Sequence, residues 1–251
     1  MPIVANILYR DSFNFARSQL FNILLLALLT ALITIILNQT FTPDAEQLKI
    51  LGTVKNNFES LKGVGIKEIA RSMTPEQQMI LLKLSAVTAF STLLGNVLLI
   101  GTMLSLMILV SQGYHVNVWQ IVIFSLSTLP RLSLLIFICT LFIQFGLTLF
   151  ILPGIVIALA VSLTPMIITN KKIRISTVIK SSAKLAFTNM RLIAPTMILW
   201  FSAKLLLLLL ISYIVISTPI IIDIILSTLD NLLSALLLVY LFRLHMLLHN
   251  S

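Results

Sequence analysis

The sequence predicts an all-α, polytopic membrane protein: six transmembrane helices with interfacial amphipathic helices, ordered as three helix-plus-hairpin repeats in a single integral membrane domain over residues 1–251. Three observations predict it. Hydrophobic residues make up 59% of the chain and charged residues only 10%, against about 25% charged in soluble domains. The apolar residues, with a mean hydropathy of +1.08, lie in continuous leucine- and isoleucine-rich runs near the ~20 residues that cross about 30 Å of hydrocarbon. They do not form the alternating segments of a barrel. The bases are also unevenly shared. Lys171, Lys172, Arg174, Lys180, Lys184 and Arg191 stand together with no acid among them, whereas residues 38–83 hold six bases against five acids.

Taken in order, the predicted spans cover 20–37, 84–110, 132–152, 154–169, 192–216 and 220–242. The first follows Arg10 and Arg17, but its apolar core exceeds a signal-peptide h-region and no small-x-small cleavage site follows, so it is expected to stay as an anchor. Short basic segments remain cytoplasmic. Both termini and the basic interfacial segment 170–191 are therefore expected inside, and residues 38–83 outside as a polar loop and helix stalk. The net charge of +9 flanks apolar spans, which is a topology signal and an attraction to anionic lipid rather than to nucleic acid. The single cysteine, Cys139, lies inside the third span and has no second cysteine to bridge with.

Near the end of the polar loop, TPEQQ starts the second long helix. Thr74 caps, Pro75 takes the first helical position and Gln77 completes a capping box, so the helix begins about nine residues before its apolar part. Within it, Ser85, Thr88, Ser91, Thr92, Gly95, Asn96, Gly101 and Ser105 recur near helical spacing, with Ser91 and Gly95 a small-xxx-small pair. That face suits close helix packing; the alternative is a substrate path lined by Asn96 and the hydroxyls.

A shorter helical stretch precedes three of the spans. VANILYRDSFNFARSQ sets Val4, Ile7, Leu8 and Phe15 against Asn6, Arg10, Asn14 and Arg17; ISTVIKSSAKLAFTN sets Ile175, Val178, Ile179 and Ala186 against Thr177, Lys180, Ser181, Lys184 and Thr188. Both spacings predict interfacial helices, apolar face towards lipid and basic face towards headgroups. Between them, VNVWQIVIFSLSTLPRL is less two-faced, and Pro130-Arg131 reads as an elbow before the third span. The repeats then run 3–110, 113–169 and 173–249, and aligning Ser12 with Ser182 brings Gln19 opposite Asn189. In a competing reading, residues 119–138 form the third span. That would leave CTLFIQFGLTLF as a nearly apolar loop, so the elbow is preferred.

The third and fourth spans meet without a polar loop. Pro153-Gly154 is expected to supply the break, since proline ends one helix and glycine permits a tight turn. From 154 to 169 is 16 residues, about 24 Å at 1.5 Å per residue and short for a bilayer core. Pro165 deprives the Val161 carbonyl of its donor near the inner end, where Ser162 or Thr164 can serve instead. A short kinked helix leading into a basic segment predicts a place of local membrane thinning.

LPGIVIALAVSLTPMIITNKKIRISTVIKSSAKLAFTNMRLIAP resembles the YciC-like family of bacterial inner membrane proteins, as do YRDSFNFARSQLFNILL, MTPEQQMILL and LLLVYLFRLHML. The resemblance covers essentially the whole chain. The PGI, proline and KSS...N.R pattern is also similar to the membrane domain attached to some glycerophosphodiester phosphodiesterases, whose catalytic barrel has no counterpart here. What the resemblance implies is a six-span inner membrane protein of unassigned activity; it brings no catalytic residue onto this chain.

Lys204 is the charge with the clearest consequence. It lies twelve residues into the fifth span, where an ammonium is costly and needs a partner. If the connection to the sixth span centres on residues 217–219, Lys204 lies about 14 residues before it and Asp230 about 12 after. An intramembrane Lys204–Asp230 pair is expected; the alternative is a Lys204 that snorkels or meets other polar residues. His245 and His249 are four apart at a helix end, but no nearby carboxylate or cysteine completes a metal site; His115 reads as a turn residue. No H-E-x-x-H, G-x-S-x-G or phosphate-binding glycine loop is present. The expectation is a non-enzymatic, cofactor-free, membrane-organising or envelope component that engages anionic phospholipid. The alternatives are a small-solute or ion transporter and, last, an intramembrane enzyme.

Overall fold

A computed structural model describes residues 5–43, 73–114, 116–168, 173–214 and 220–249. The described residues form ten helices: α1 (Ala5–Ser18), α2 (Leu20–Phe41), α3 (Pro75–Ser111), α4 (Val118–Leu126), α5 (Leu129–Leu149), α6 (Ile151–Val161), α7 (Thr164–Ile167), α8 (Ile175–Thr188), α9 (Met190–Ile214) and α10 (Ile220–His249). Five stretches, Leu20–Phe41, Pro75–Ser111, Leu129–Leu149, Met190–Leu210 and Ile221–Leu248, are long and apolar enough to cross a bilayer. The fourth expected span falls below that length: Leu152–Ile167 is a shorter apolar stretch, divided between α6 and α7. The chain is thus an all-α, polytopic membrane protein with five spans of full length among its described residues.

The chain divides into two compact units, one of residues 33–94 and one of residues 1–32 with 95–251. In the first, Thr74 N–H donates to Gln77 Oε1 at 2.9 Å and Gln77 N–H to Thr74 Oγ1 at 3.3 Å. This reciprocal box starts α3 at Pro75, where a missing N–H costs nothing. Helix extends into both ends of the expected outer loop, to Phe41 and from Pro75; the LKGVGIKEIAR part of the loop lies outside the described residues.

In the second unit, a short helix precedes a long one three times: α1 before α2, α4 before α5, α8 before α9. The three elbows are built alike. Gln19, Thr128 and Asn189 interrupt the helix, and the carbonyl of each accepts from the amide four residues on, at Ile23, Leu132 and Ile193. The side chains of these three donor residues are fully buried. The elbow before α5 therefore falls at Ser127-Thr128, with Pro130 in the first turn of the new helix, and residues 119–138 are not one continuous helix.

α3 carries the densest part of the core, Leu99, Met103, Leu106 and Met107. Thr102 and Ser105 are buried but donate to their own helix, at Leu98 and Gly101 carbonyls, both at 2.8 Å. Asn96 is exposed. These two hydroxyls satisfy themselves within the helix, which fits packing. α3 ends in a Schellman motif: Gly113 at φ +83°, with Gly113 N–H on Val110 O and Tyr114 N–H on Leu109 O.

The α5–α6 hairpin corrects one expectation. The chain turns at Phe150, which is extended (φ −159°, ψ 155°) and precedes α6, not at Pro153-Gly154. Pro153 occupies the first turn of α6, where its absent N–H would have had no helical acceptor. Gly154 serves approach rather than turning. A Cβ there would lie 2.9 Å from the Leu147 nitrogen, and one on Gly146 would lie 3.0 Å from Gly154 Cα. The two glycines let α5 and α6 touch backbone to backbone.

At the other end of α6, Thr164 Oγ1 donates to Val161 O at 2.6 Å, covering the carbonyl that Pro165 cannot serve. Ser162 Oγ donates to Leu159 O at 2.8 Å. The kink between α6 and α7 is held from within by hydroxyls.

Candidate functional site

The short helices bring one end of the second unit together. α1 lies along α10, its buried stripe Leu8, Ser12, Phe15 and Ala16 turned inward. Tyr9 stacks on Tyr240 with ring centroids 5.0 Å apart, and its hydroxyl meets Thr196 Oγ1 at 2.8 Å. Tyr240 donates to Leu192 O at 2.9 Å, and Arg243 lies 4.8 Å over the Phe15 ring. The start of α1, the start of α9 and the last turns of α10 therefore share one end. Arg131, in the first turn of α5, donates to the Ile173 carbonyl just before α8, which adds the α4–α5 elbow and the start of α8 to the same end.

α8 packs on α6 and α7 through Val178, Ser182 and Ala186, all buried. Ser182 Oγ donates to Ala160 O at 2.7 Å. Arg174, Lys180, Lys184 and Arg191 are exposed. The outcome differs in part from the expected lipid-lying geometry: Leu8 and Phe15 of α1 and Val178 and Ala186 of α8 are spent on protein, because a neighbouring helix satisfies them as well as acyl chain does, while Ile7 stays exposed, Ile175 and Ile179 are half-buried and Val4 lies outside the described residues. The basic faces of both helices are left outward. Arg131 and Arg243 make contacts at this end, and the short helices that meet there carry further bases, Arg10 and Arg17 on α1 and Lys180 and Lys184 on α8, with Arg174 and Arg191 at the starts of α8 and α9 and Asp11 the acid on α1. Lys171 and Lys172 lie outside the described residues. Beside the elbow, Ser127, Thr128, Arg131, Leu132 and Ile168 line a recess of about 180 Å³.

A second polar group lies within the spans. Lys204 stands 14 residues past Met190 and Asp230 ten past Ile220, about 21 and 15 Å along their helices. Because α9 and α10 pack together, the two charges meet, Lys204 Nζ at 2.9 Å from Asp230 Oδ2. The Lys204 ammonium also lies 4.9 Å from the Trp200 ring centroid, a cation–π contact that costs no counter-charge. Beside Asp230, Asn231 Nδ2 donates to Thr30 Oγ1 at 3.1 Å and Ala27 O at 3.2 Å on α2. A polar layer thus crosses α2, α10 and α9. Sequence reasoning misses the Asn231–Thr30 link; the signal for it is an amide adjacent to an acid within an apolar run.

Among the described residues, no group of three His, Cys, Asp or Glu is placed to hold a metal ion. His115 and the side chain of His249 lie outside what is described. Cys139 is buried, its sulfur 3.8 Å from Thr164 Oγ1.

Comparison with known proteins agrees with this architecture. The model of an uncharacterised protein family, UPF0259, matches residues 1–247. A UPF0259 membrane protein of Serratia proteamaculans (strain 568) is 56% identical over 250 residues, all of both chains. One from Yersinia pestis (strain Pestoides F) is 59% identical over 248 residues, 99% of this chain and 97% of the relative. No solved structure matches. The full-length identity, the family match and the apolar helices together place the chain in the UPF0259 family of bacterial membrane proteins, the kind of uncharacterised multi-pass family its motifs resemble.

Proposed function

We propose that this protein is a non-enzymatic component of the bacterial inner membrane that gathers anionic phospholipid headgroups at its basic end and so organises the bilayer around it. The observation that carries the reading is the orientation of α8. Val178, Ser182 and Ala186 are anchored in protein while Lys180, Lys184, Arg174 and Arg191 face outward. A rigidly held row of cations is suited to headgroup phosphates, each base near an anionic surface contributing about 1 kcal/mol. The positive-inside rule sets this end, and both termini, in the cytoplasm. α6 and α7 together run 17 residues, Ile151 to Ile167, about 25 Å against ~30 Å of hydrocarbon. That shortfall favours a thinner bilayer beside the basic end.

The test is lipid retention. Protein extracted in mild detergent and weighed intact by native mass spectrometry is expected to carry phosphatidylglycerol or cardiolipin in preference to phosphatidylethanolamine. A Lys180→Gln/Lys184→Gln/Arg191→Gln variant is expected to lose that preference by about tenfold or more. Equal retention of anionic and zwitterionic lipid by both proteins would refute the reading. The mid-span Lys204–Asp230 pair favours transport as a second reading, which a solute- or proton-flux signal in proteoliposomes, abolished by Lys204→Met, would support.

A further inference from the structure

Lys204 lies on the least covered of the five full-length spans among the described residues, and its partner Asp230 on a span that is 33% buried. Only 11% of the span Met190–Leu210 is buried, against 56% for the span in Pro75–Ser111. Around the pair, Phe201, Leu205 and Leu208 on α9 and Ile225 and Leu229 on α10 are exposed. In this apolar surface the Lys204 side chain is 26% exposed and that of Asp230 42%. At such a depth the neighbour is hydrocarbon, which offers neither hydrogen bond nor counter-charge. Ionisable groups within spans turn instead towards protein or water.

The intrachain contact uses Asp230 Oδ2 and one ammonium proton. A carboxylate has a second oxygen and an ammonium two further protons, which remain for a partner at this exposed surface. The patch also carries one charge of each sign and no net charge, so it is complementary to itself. Under a two-fold axis beside α9, the same surface from a second copy presents its acid to this copy's base, and the reverse. A lipid or an unrelated apolar helix satisfies neither.

We propose that the α9–α10 face is a homodimer interface within the membrane, centred on Lys204 and Asp230 and closed by reciprocal contacts to the partner's Asp230 and the partner's Lys204. The apolar side chains around the pair complete a dry seam, and the four charges fix its register. This assignment is independent of the lipid-binding reading.

The experiment is subunit counting in bilayers. Full-length protein carrying one dye per chain is reconstituted over a range of protein-to-lipid ratios, and photobleaching steps are counted. The wild type is expected to dimerise as density rises. The neutral double variant Lys204→Met/Asp230→Leu, which leaves no uncompensated charge and so preserves the fold, is expected to dissociate at least about tenfold more readily, because the two-fold symmetry removes a pair of interhelical polar links at once. Lys204→Asp and Asp230→Lys copies, labelled in different colours, are expected to co-localise with each other and not with themselves. A wild type that bleaches in single steps at every density, a double variant that dimerises as well as wild type, or complementary variants that extract with wild-type thermal midpoints when co-expressed yet do not co-localise would each overturn the proposal.

Discussion

A methyl group at Gly154 provides the sharpest test of the hairpin. In Gly154→Ala the new Cβ would lie 2.5 Å from Leu147 Cγ and 2.9 Å from the Leu147 backbone nitrogen. The nitrogen cannot rotate away, so α6 must retreat by about 0.5 Å to reach ordinary contact, a kind of overpacking that costs typically 1–3 kcal/mol. Gly101→Ala is the matched control. Its Cβ meets Leu129 Cδ2 at 2.7 Å, the far end of a side chain that can change rotamer. Replacing a helical glycine by alanine returns up to about 1 kcal/mol in each case. Gly101→Ala should therefore be near neutral, and Gly154→Ala less stable than it by about 2 kcal/mol, roughly 4–8 °C in midpoint for a chain of this size.

The natural probe is Cys139, buried in α5 and the one cysteine of the sequence. A thiol-reactive fluorophore added during heating in detergent reports when α5 opens. Equal midpoints for the two variants would refute the backbone-contact account of Gly154.

Other sites give predictions of different kinds. Asp230→Ala should destabilise by about 2–4 kcal/mol by leaving Lys204 alone in a span, whereas Lys204→Met/Asp230→Leu should cost less than the sum of its single changes; additive midpoint shifts in detergent would contradict the pairing. Thr164→Val keeps the shape but strips Val161 O of its hydroxyl donor, and should cost about 1–2 kcal/mol, read on the same thiol assay; an unchanged midpoint would show that the carbonyl needs no donor. Asn231→Leu should weaken the α2–α10 contact by about 0.6–2 kcal/mol, detectable as faster proteolysis of the detergent-solubilised protein, and an unaltered digestion rate would oppose the polar-layer assignment.

Much of the fold follows from local signals. Thr74, Pro75 and Gln77 define a helix start whatever surrounds them, and Gln19 and Asn189 mark elbows because they fall where an amphipathic pattern gives way to a uniformly apolar one. The depth match of Lys204 and Asp230 follows from counting along two antiparallel helices. What sequence does not reveal depends on distant parts of the chain. Asn231 and Thr30 are 201 residues apart, and no local pattern fixes the rotation of α10 against α2. The inward faces of α1 and α8 read as lipid-facing in the sequence because apolar side chains suit a helix and an acyl chain equally. The turn at Phe150 escapes sequence reasoning for a similar reason: Pro153 and Gly154 carry the strongest turn chemistry in the run, yet close backbone contact with Leu147 is what requires the glycine.

The central claim, that the outward basic face of α8 rests among anionic headgroups, is tested most directly by lipid photo-crosslinking in living cells. A photoreactive amino acid at position 184, with a control at the exposed Leu206 on α9, is irradiated and the adducted lipids are identified by mass. The account predicts adducts at position 184 enriched in phosphatidylglycerol and cardiolipin over their share of the membrane, and adducts at 206 that follow bulk composition. Identical lipid profiles at the two positions would contradict it.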